Sequence, residues 1–289
     1  MAELTRREAM GLVGAVAVGT AVGRSMPLSA SAQGTVNEPA LRQAISRWGF
    51  QNTNLTRFLQ YASDTGLRAV DMLKEEEWLL AAKCGLTCVT GYGGGGTVTN
   101  GLSNTSNHNE IVRNLERSIP HASRVGVPNI ITFFGNRQGI STAQGIDNCV
   151  QALRRIAPIA ENENVTILAE LLNSRVDYPD YIGDRTAFGV EVVKRVNSPR
   201  IKLLYDIYHM QMMEGNVIQT IADNQQHIAH YHTAGVPGRG GLGVGQELNW
   251  KAISRSIART GYSGYIAHEF IATGDPVRSI REAVSHFSV

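Results

Sequence analysis

The stretch Ile201–Arg239 decides the fold, opening with IKLLYDIYHMQMMEGN (residues 201–216) and closing with HIAHYHTAGVPGR (residues 227–239). We interpret it as a buried strand ending in Asp206 and His209, then a helix, then a second short strand ending in His232. Such groups at the ends of consecutive parallel strands are typical of a divalent-metal site in an α/β barrel, because ligands from several strand ends converge above the barrel. The stretch therefore predicts a metal-binding barrel whose other strands supply the remaining ligands.

Eight short apolar segments run along the chain, and most of them precede a helical pattern. They are Ala44–Trp48, Arg68–Leu73, Thr87–Thr90, Asn129–Phe133, Val165–Glu170, Ile201–Asp206, Ile228–His232 and Gly264–Glu269. Strands that alternate with helices indicate parallel βαβ units. Eight such units in a chain of 289 residues predict an α/β fold, a single-domain (β/α)₈ TIM barrel over residues 33–289.

Glycines punctuate the predicted helices, and long loops follow three of the strands. The helices Leu55–Thr65, Glu75–Lys83, Glu110–Val125 and Asn249–Thr260 each stop at a glycine, a frequent C-terminal signal. The longest loops are Gly91–Asn107, Asn173–Arg185 and Thr233–Glu247, which we expect on the catalytic face because each follows a strand. The glycine run 91–96 is either a lid or a mobile connection.

Composition and charge are those of an ordinary soluble globule. The chain is 43% hydrophobic and 18% charged, with a formal net charge of +2. This near-neutral balance gives no electrostatic case for nucleic acid or an anionic membrane as the main partner. Cys84, Cys88 and Cys149 are an odd number, which argues against a disulfide framework. We expect core thiols, with a bridge or metal clip between Cys84 and Cys88 as the alternative.

The N-terminus has the pattern of an export signal. LTRREAM (residues 4–10) precedes the weakly apolar run GLVGAVAVGTAVG (11–23) and the small-residue segment SASAQ (29–33). The pair Arg6–Arg7 resembles a twin-arginine signal. We predict a signal peptide over residues 1–32, export to the periplasm in the folded state, and no membrane association after cleavage. A membrane anchor or a chance amphipathic helix is the alternative.

Four polar residues occupy corresponding positions at the ends of the last four predicted strands. Each follows an apolar run, in which a charge is costly to bury without a partner. They are Glu170, Asp206, His232 and Glu269. Three carboxylates and one imidazole suit Mn²⁺, Mg²⁺ or Co²⁺ better than a thiolate-type zinc site. A helix cap or an ion pair is the alternative for any one of them.

Other polar residues flank this set. His209 and Arg239 follow strands six and seven, where they would contact substrate; a guanidinium there can clamp a carboxylate or a hydroxyl. Glu247 either contacts substrate or sits at a helix N-terminus. We expect His230 to be a hydrogen-bonded core residue that can support His232, and His268 to be structural.

Six segments together resemble the hydroxypyruvate isomerase family of the xylose isomerase-like barrels. They are SRWGF (46–50), GVPNIITFFGNR (126–137), LAELLNSRVDYPDY (168–181), KLLYDIYHMQMMEGNVIQTI (202–221), HYHTAGVPGR (230–239) and GYIAHEF (264–270). They span nearly all of the chain after the signal. The resemblance implies a (β/α)₈ barrel that acts on a small hydroxycarbonyl or sugar compound.

The resemblance also implies roles for single residues. Glu170, Asp206, His232 and Glu269 would hold the metal, and the two glutamates would act as acid and base. His209 and Arg239 match positions that touch substrate oxygens, and Glu247 in GQELNW matches a glutamate of a similar family loop. The implied chemistry is removal and return of a carbon-bound proton through a cis-enediolate, with the metal as Lewis acid and template.

Two departures concern the substrate. Characterised hydroxypyruvate isomerases often have Gln where His232 stands, whereas related ketose 3-epimerases have His, and the loop GRGGLGVGQE (238–247) is rich in glycine. Conversion of hydroxypyruvate to tartronate semialdehyde is the expected reaction. A ketose 3-epimerase or another sugar-acid isomerase is the alternative, in carbohydrate metabolism. Whether the barrels pair as a homo-oligomer stays open.

Two alternatives come from other functional classes. Endonucleases that cut abasic DNA share this barrel, but they use several metal ions, more histidine ligands and a basic groove, which the net charge of +2 and the export signal argue against. A non-catalytic sugar-binding barrel would be favoured if one glutamate were missing, and both Glu170 and Glu269 are present.

Overall fold

Parallel strands form the centre of the protein, and the computed structural model describes them within residues 41–288. The strands are β1 (Arg42–Ser46), β2 (Ala69–Asp71), β3 (Leu73–Lys74), β4 (Thr87–Cys88), β5 (Gly91–Gly95), β6 (Asn129–Phe133), β7 (Thr166–Leu171), β8 (Ile201–Asp206), β9 (Ile228–Thr233) and β10 (Tyr265–His268). Their order in the sheet is β3-β5-β6-β7-β8-β9-β10-β1-β2-β4, and every pair is parallel. The α/β barrel prediction is confirmed, and each of the eight predicted segments contains strand.

The eight-position barrel has ten named strands because its second and third positions are each interrupted. Met72, with φ of 58°, separates β2 from β3, and residues 89–90 separate β4 from β5. The Met72 amide donates to the Thr90 carbonyl at 2.8 Å, which joins the two interrupted strands at the break. The predicted loop Gly91–Asn107 was therefore wrong in its first part, because Gly91–Gly95 is strand β5.

Helices follow most strands. They are α1 (Leu55–Asp64), α2 (Trp78–Lys83), α3 (His108–Val125), α4 (Thr142–Asn162), α5 (Thr186–Val196), α6 (Ile207–Met213), α7 (Val217–Asn224), α8 (Trp250–Arg259) and α9 (Pro276–His286). The predicted helices are confirmed, although 75–77 is a short 3₁₀ turn. The glycine stop is clear after α3, where Gly126 takes the left-handed conformation and its amide donates to the Ala122 carbonyl. None of the described helices is long and apolar enough to cross a membrane.

Burial follows the strand pattern of a packed barrel. The strands β7 and β8 are buried along almost their whole length, as expected when helices cover a parallel sheet. Among the thiols, Cys88 and Cys149 are buried and Cys84 is exposed, and all three are free. The core-thiol prediction was thus wrong for Cys84, which caps the C-terminal end of α2 at the surface.

The predicted signal peptide, residues 1–32, lies outside the described residues. The domain boundary at residue 33 lies there as well, so both stay predictions.

Candidate active site

Four side chains converge at the carboxyl ends of β7 to β10. Their ligand atoms all lie within 4.8 Å of one another, and all four residues are buried; they are Glu170, Asp206, His232 and Glu269. The sheet register explains the convergence, since Asp206 pairs with His232 across β8 and β9. The structure thus brings together the four residues that the sequence predicts as metal ligands.

The spacing within this cluster fits a shared cation. Nδ1 of His232 lies 3.2 Å from Oε1 of Glu170 and 3.3 Å from Oε2 of Glu269. Two ligands with bonds of about 2.1 Å to one ion lie about 3.0–3.4 Å apart when the angle between them is about 90–110°. Neither contact makes a good hydrogen bond, since His232 Nδ1 and Glu170 Oε1 are buried without a hydrogen-bond partner. Asp206 Oδ2 is buried and unpartnered in the same way.

Charge also favours a divalent cation. Three carboxylates meet here, and Arg239 is the guanidinium that contacts them, 2.5 Å from Glu269 and 3.8 Å from Asp206. Arg239 leaves two negative charges uncompensated when His232 is neutral. Because buried charges need partners, an ion of charge +2 balances this set. The residues present therefore fit the metal that the sequence predicts.

The carboxylates differ in their proton affinity. Burial raises the pKa of Glu170 to about 7 and that of Asp206 to about 6. Burial would also raise the pKa of Glu269, but the charges of His232 and Arg239 outweigh it and hold the pKa below its usual value. Burial would lower the pKa of His232, but Glu269, Asp71 and Glu170 raise it well above its usual value. The cluster thus has a strong affinity for positive charge.

Arg239 is held rigidly above the cluster. Its guanidinium stacks on the Trp48 ring at 3.7 Å and lies 5.6 Å from the Tyr208 ring, while Nη1 is 3.5 Å from the Tyr178 hydroxyl. The Arg239 carbonyl accepts from the Ile271 amide at 2.8 Å, which ties the loop after β9 to the segment after β10. The predicted substrate group Arg239 therefore lies at the site, with a fixed orientation.

His209 has a defined tautomer. The sequence predicts it at the end of the strand, but it lies on α6, and Asp206 caps that helix by accepting from the His209 amide at 3.2 Å. The ring Nδ1 accepts from the Asn173 backbone amide at 3.1 Å, so the proton lies on Nε2. Nε2 is buried without a hydrogen-bond partner, 3.6 Å from Asp206 Oδ2. Burial and Arg239 lower the pKa of His209 well below its usual value, so a neutral imidazole offers one N–H donor to the site.

Glu247 lies apart from the cluster. It is exposed, and its carboxylate accepts from the Gln211 side chain at 3.1 Å. It is not a helix N-terminal carboxylate either, because Asn249 caps α8 and the first turn of α8 has no acidic residue. The substrate contact of Glu247 therefore stays a prediction.

Two further histidines that the sequence analysis considers, His230 and His268, have separate surroundings. His230 is buried beside His232, as predicted, with ring centroids 5.2 Å apart. His268 is buried among Thr233, Gln43 and Phe287, outside the four-residue cluster. This agrees with a structural role for His268.

Sequence reasoning missed two groups of residues at this site. Asp71, at the end of β2, contacts His232 from the side opposite the carboxylates. Three aromatic side chains also lie around Arg239 beside the cluster; they are Trp48, Tyr178 and Tyr208. Burial and the charges of Glu269 and Glu170 raise the pKa of the Tyr92 phenol. Only the strand-end position of Asp71 was a signal in the sequence.

A comparison with sequence models of known protein families assigns the chain to a family. The model described as "Xylose isomerase-like TIM barrel" matches residues 38–288. This chain belongs to the xylose isomerase-like TIM barrel family. The strand-end cluster therefore lies where barrels place their active sites.

The curated relatives of this chain include proteins named as isomerases. The chain is 28% identical over 176 residues to a putative hydroxypyruvate isomerase of Mus musculus, covering 57% of this chain and 62% of the relative. It is 30% identical over 154 residues to a hydroxypyruvate isomerase of Escherichia coli (strain K12), covering 53% and 59%. It is 35% identical over 114 residues to a 2-oxo-tetronate isomerase of Cupriavidus necator, covering 39% and 43%. The chain thus matches less than two thirds of the length of each relative.

Solved structures show the same xylose isomerase-like fold. An AP endonuclease of family 2 from Brucella melitensis has a TM-score of 0.75 at 20% identity, covering 83% of this chain and 97% of that one. D-psicose 3-epimerase from Clostridium cellulolyticum H10, solved with D-tagatose, has a TM-score of 0.70 at 17% identity, covering 85% and 96%. At these identities the likeness concerns the fold alone.

Proposed function

We propose that this protein is a metal-dependent isomerase of small α-hydroxycarbonyl acids that converts hydroxypyruvate to 2-hydroxy-3-oxopropanoate (tartronate semialdehyde). One observation carries the proposal: Glu170 and Glu269 come from strands separated by β8 and β9, yet both approach His232 Nδ1 within 3.3 Å. Two carboxylates around one candidate metal position can act as general base and general acid to move a proton between adjacent carbons. The hydroxypyruvate and 2-oxo-tetronate isomerases among the relatives support this substrate class.

The metal would be held by Glu170, Asp206, His232 and Glu269. An oxygen-rich set with one imidazole favours Mn²⁺, Mg²⁺ or Co²⁺. Such an ion supplies Lewis-acid polarisation of a carbonyl oxygen when bound.

The two glutamates would carry the proton between carbons. One carboxylate removes the proton from the hydroxyl-bearing carbon of the substrate, and the electron pair passes into an enediolate. The other carboxylate returns a proton to the former carbonyl carbon, while the hydroxyl proton passes to the former carbonyl oxygen. The substrate is neither oxidised nor reduced overall, so no redox cofactor is required. General acid–base help of this kind contributes about 10²–10⁴-fold.

Two further residues would orient the substrate. The Nε2–H of neutral His209 is free to donate to a substrate oxygen, because Asn173 fixes the opposite ring nitrogen as an acceptor. Arg239 offers guanidinium N–H groups at the cluster, and its stack on Trp48 keeps it in place. A guanidinium suits a carboxylate better than a neutral hydroxyl. Arg239 therefore favours an acid as the substrate.

The direct test is product formation. The full-length protein, stripped with a chelator and reloaded with Mn²⁺, is incubated with hydroxypyruvate and followed by ¹H NMR. We expect the aldehyde signal of tartronate semialdehyde in the Mn²⁺ sample and not in the stripped one. Stoichiometric Mn²⁺ binding without any conversion would contradict the proposed reaction.

A ketose 3-epimerase is the second candidate, favoured by His232. The family resemblance associates His at this position with epimerases, and a D-psicose 3-epimerase shares the fold. The same sample is therefore incubated with neutral ketoses and hydroxypyruvate in parallel. Epimer formation from a ketose, with no aldehyde from hydroxypyruvate, would move the protein to the epimerases.

We also propose that residues 1–32 direct export to the periplasm by the twin-arginine route. The support is the Arg6–Arg7 pair ahead of a weakly apolar run and a small-residue segment. Fractionation of cells that express the full chain tests this proposal. We expect periplasmic protein in normal cells, and retention with Arg6→Lys and Arg7→Lys together or in cells without the translocase. Periplasmic protein in all three samples would contradict this route.

A further inference from the structure

Asp71 and two histidines form a buried group beneath the candidate metal cluster. Asp71 lies at the end of β2, while His230 and His232 lie two residues apart on β9, and all three are fully buried. In the sheet, β10 and β1 separate these two strands, so the carboxylate reaches His232 across the barrel interior. Its Oδ2 lies 2.7 Å from Nε2 of His232 and 3.1 Å from Nε2 of His230.

These distances are those of hydrogen bonds. Two ligands of one cation, each about 2.1 Å from it, lie about 3 Å or more apart, so 2.7 Å leaves no room for a bridging ion. The same distance is normal for a charge-assisted N–H···O bond. An ionised carboxylate has no proton to give, so each histidine donates its Nε2–H to Asp71.

This arrangement decides which nitrogen of His232 is left for a ligand. A metal ion binds the neutral imidazole, which carries one proton, and a proton on Nε2 leaves a lone pair on Nδ1 for the ion. Nδ1 is the atom that faces Glu170 Oε1 at 3.2 Å and Glu269 Oε2 at 3.3 Å. Without Asp71, these two carboxylates would attract the proton to Nδ1, and the lone pair would point away from the cluster.

We propose that Asp71 is the positioning residue of the metal site: by accepting Nε2–H of His232, it keeps the Nδ1 lone pair directed at the Glu170–Asp206–Glu269 oxygens. The inference rests on the proposed function only in assigning the metal to this cluster. It predicts that Asp71 acts on metal affinity through His232 and not through general stability.

The test is Mn²⁺ affinity, measured from the electron paramagnetic resonance signal of free Mn²⁺. Loss of a partner of a metal-bound histidine costs about 10–100-fold in affinity, so we expect this loss in Asp71→Asn. His230→Gln is the matched control, because its amide still donates near the position of Nε2 while His232 is unchanged. We expect the Mn²⁺ affinity of His230→Gln to stay within about threefold of wild type. This change is far smaller than the loss of about 10–100-fold expected when a metal-bound histidine loses its hydrogen-bond partner.

A double-mutant cycle separates positioning from stability. In the His232→Gln background, residue 232 has no imidazole and so no tautomer to fix. We therefore expect Asp71→Asn to change the Mn²⁺ affinity by less than about threefold in this background, compared with the loss of about 10–100-fold when His232 is present. An equal loss in both backgrounds would overturn the proposal. Thermal unfolding of each metal-free variant shows whether it is folded.

Nitrogen NMR of the histidine-labelled, Zn²⁺-loaded protein gives a second readout. We expect His232 to carry its proton on Nε2, and the signal of that proton to disappear in Asp71→Asn. A proton on Nδ1, or binding of two ions per chain, would overturn the proposal. Neither readout uses a substrate, so a failed isomerase assay with these results intact would contradict the proposed reaction and not the role of Asp71.

Discussion

Asp206 and His232 are direct partners in the register of β8 and β9, and each places one ligand atom in the same buried cluster. Just before this pair the register shifts, between Leu203 and Leu204. Because side chains alternate across a strand, a further shift of one residue would turn His232 away from Asp206. The position of the cluster is therefore set by the backbone of the barrel.

Glu269→Gln should leave the fold intact and remove turnover. Glutamine fills the same volume and still contacts Arg239, but it cannot accept the carbon-bound proton. We expect a fall in kcat of about 10²-fold or more. Steady-state assays with hydroxypyruvate check this, with Glu116→Gln on the exposed face of α3 as the control. Normal turnover by Glu269→Gln would remove this residue from the mechanism.

Metal binding should stabilise the protein through His232. A ligand at 100 times its dissociation constant stabilises the folded state by about 2.7 kcal/mol. For a protein of this size class that corresponds to a rise in Tm of about 5–10 °C. Differential scanning fluorimetry of the stripped protein, with and without Mn²⁺, measures the shift. We expect it to vanish in His232→Ala, and an equal shift in that variant would place the ion elsewhere.

Arg239→Lys should weaken substrate binding more than it harms the fold. Lysine keeps the charge but loses both the planar stack on Trp48 and the forked N–H groups. We expect KM for hydroxypyruvate to rise about tenfold or more, equivalent to about 1.4 kcal/mol. The control is Arg117→Lys, an exposed arginine paired with Glu75 at the surface. An unchanged KM in Arg239→Lys would show that this guanidinium does not bind the substrate.

Gly49→Ala should disturb the site through the backbone. A Cβ atom at residue 49 would overlap the carbonyl oxygen of Phe270, the residue after Glu269. We expect a loss of about 1–3 kcal/mol in the free energy of unfolding, from urea denaturation. The control is Gly241→Ala, whose Cβ would meet nothing within 4 Å. Equal stability of the two variants would mean that the chain relaxes around residue 49 without strain.

The sequence predicted the barrel and the strand-end residues because both follow from local pattern. Apolar runs such as Val165–Glu170 show where buried strands end, and parallel strands of a barrel end on one face. The interruption at Met72 and the strand Gly91–Gly95 were missed, because glycine-rich sequence is typical of loops and only sheet pairing stabilises it as strand.

The contacts across the barrel could not be predicted. Asp71 meets His232 from a strand 161 residues earlier in the chain, and sequence spacing carries no information about that distance. The same holds for Trp48 beneath Arg239, which depends on the path of two separate loops. The surface position of Cys84 was missed because a cysteine at a helix end has no pattern that distinguishes burial from exposure.

The most direct test of the central claim is deuterium exchange at the carbon next to the carbonyl of hydroxypyruvate. The full-length protein, stripped of metal or loaded with Mn²⁺, is incubated with hydroxypyruvate in deuterated water, and the substrate is recovered for NMR. We expect deuterium at the hydroxymethyl carbon above the protein-free rate in the Mn²⁺ sample, and exchange at the protein-free rate in the stripped sample and in the double variant Glu170→Gln with Glu269→Gln. Exchange that is equal in the stripped and loaded protein, or that survives loss of both glutamates, would contradict the central claim.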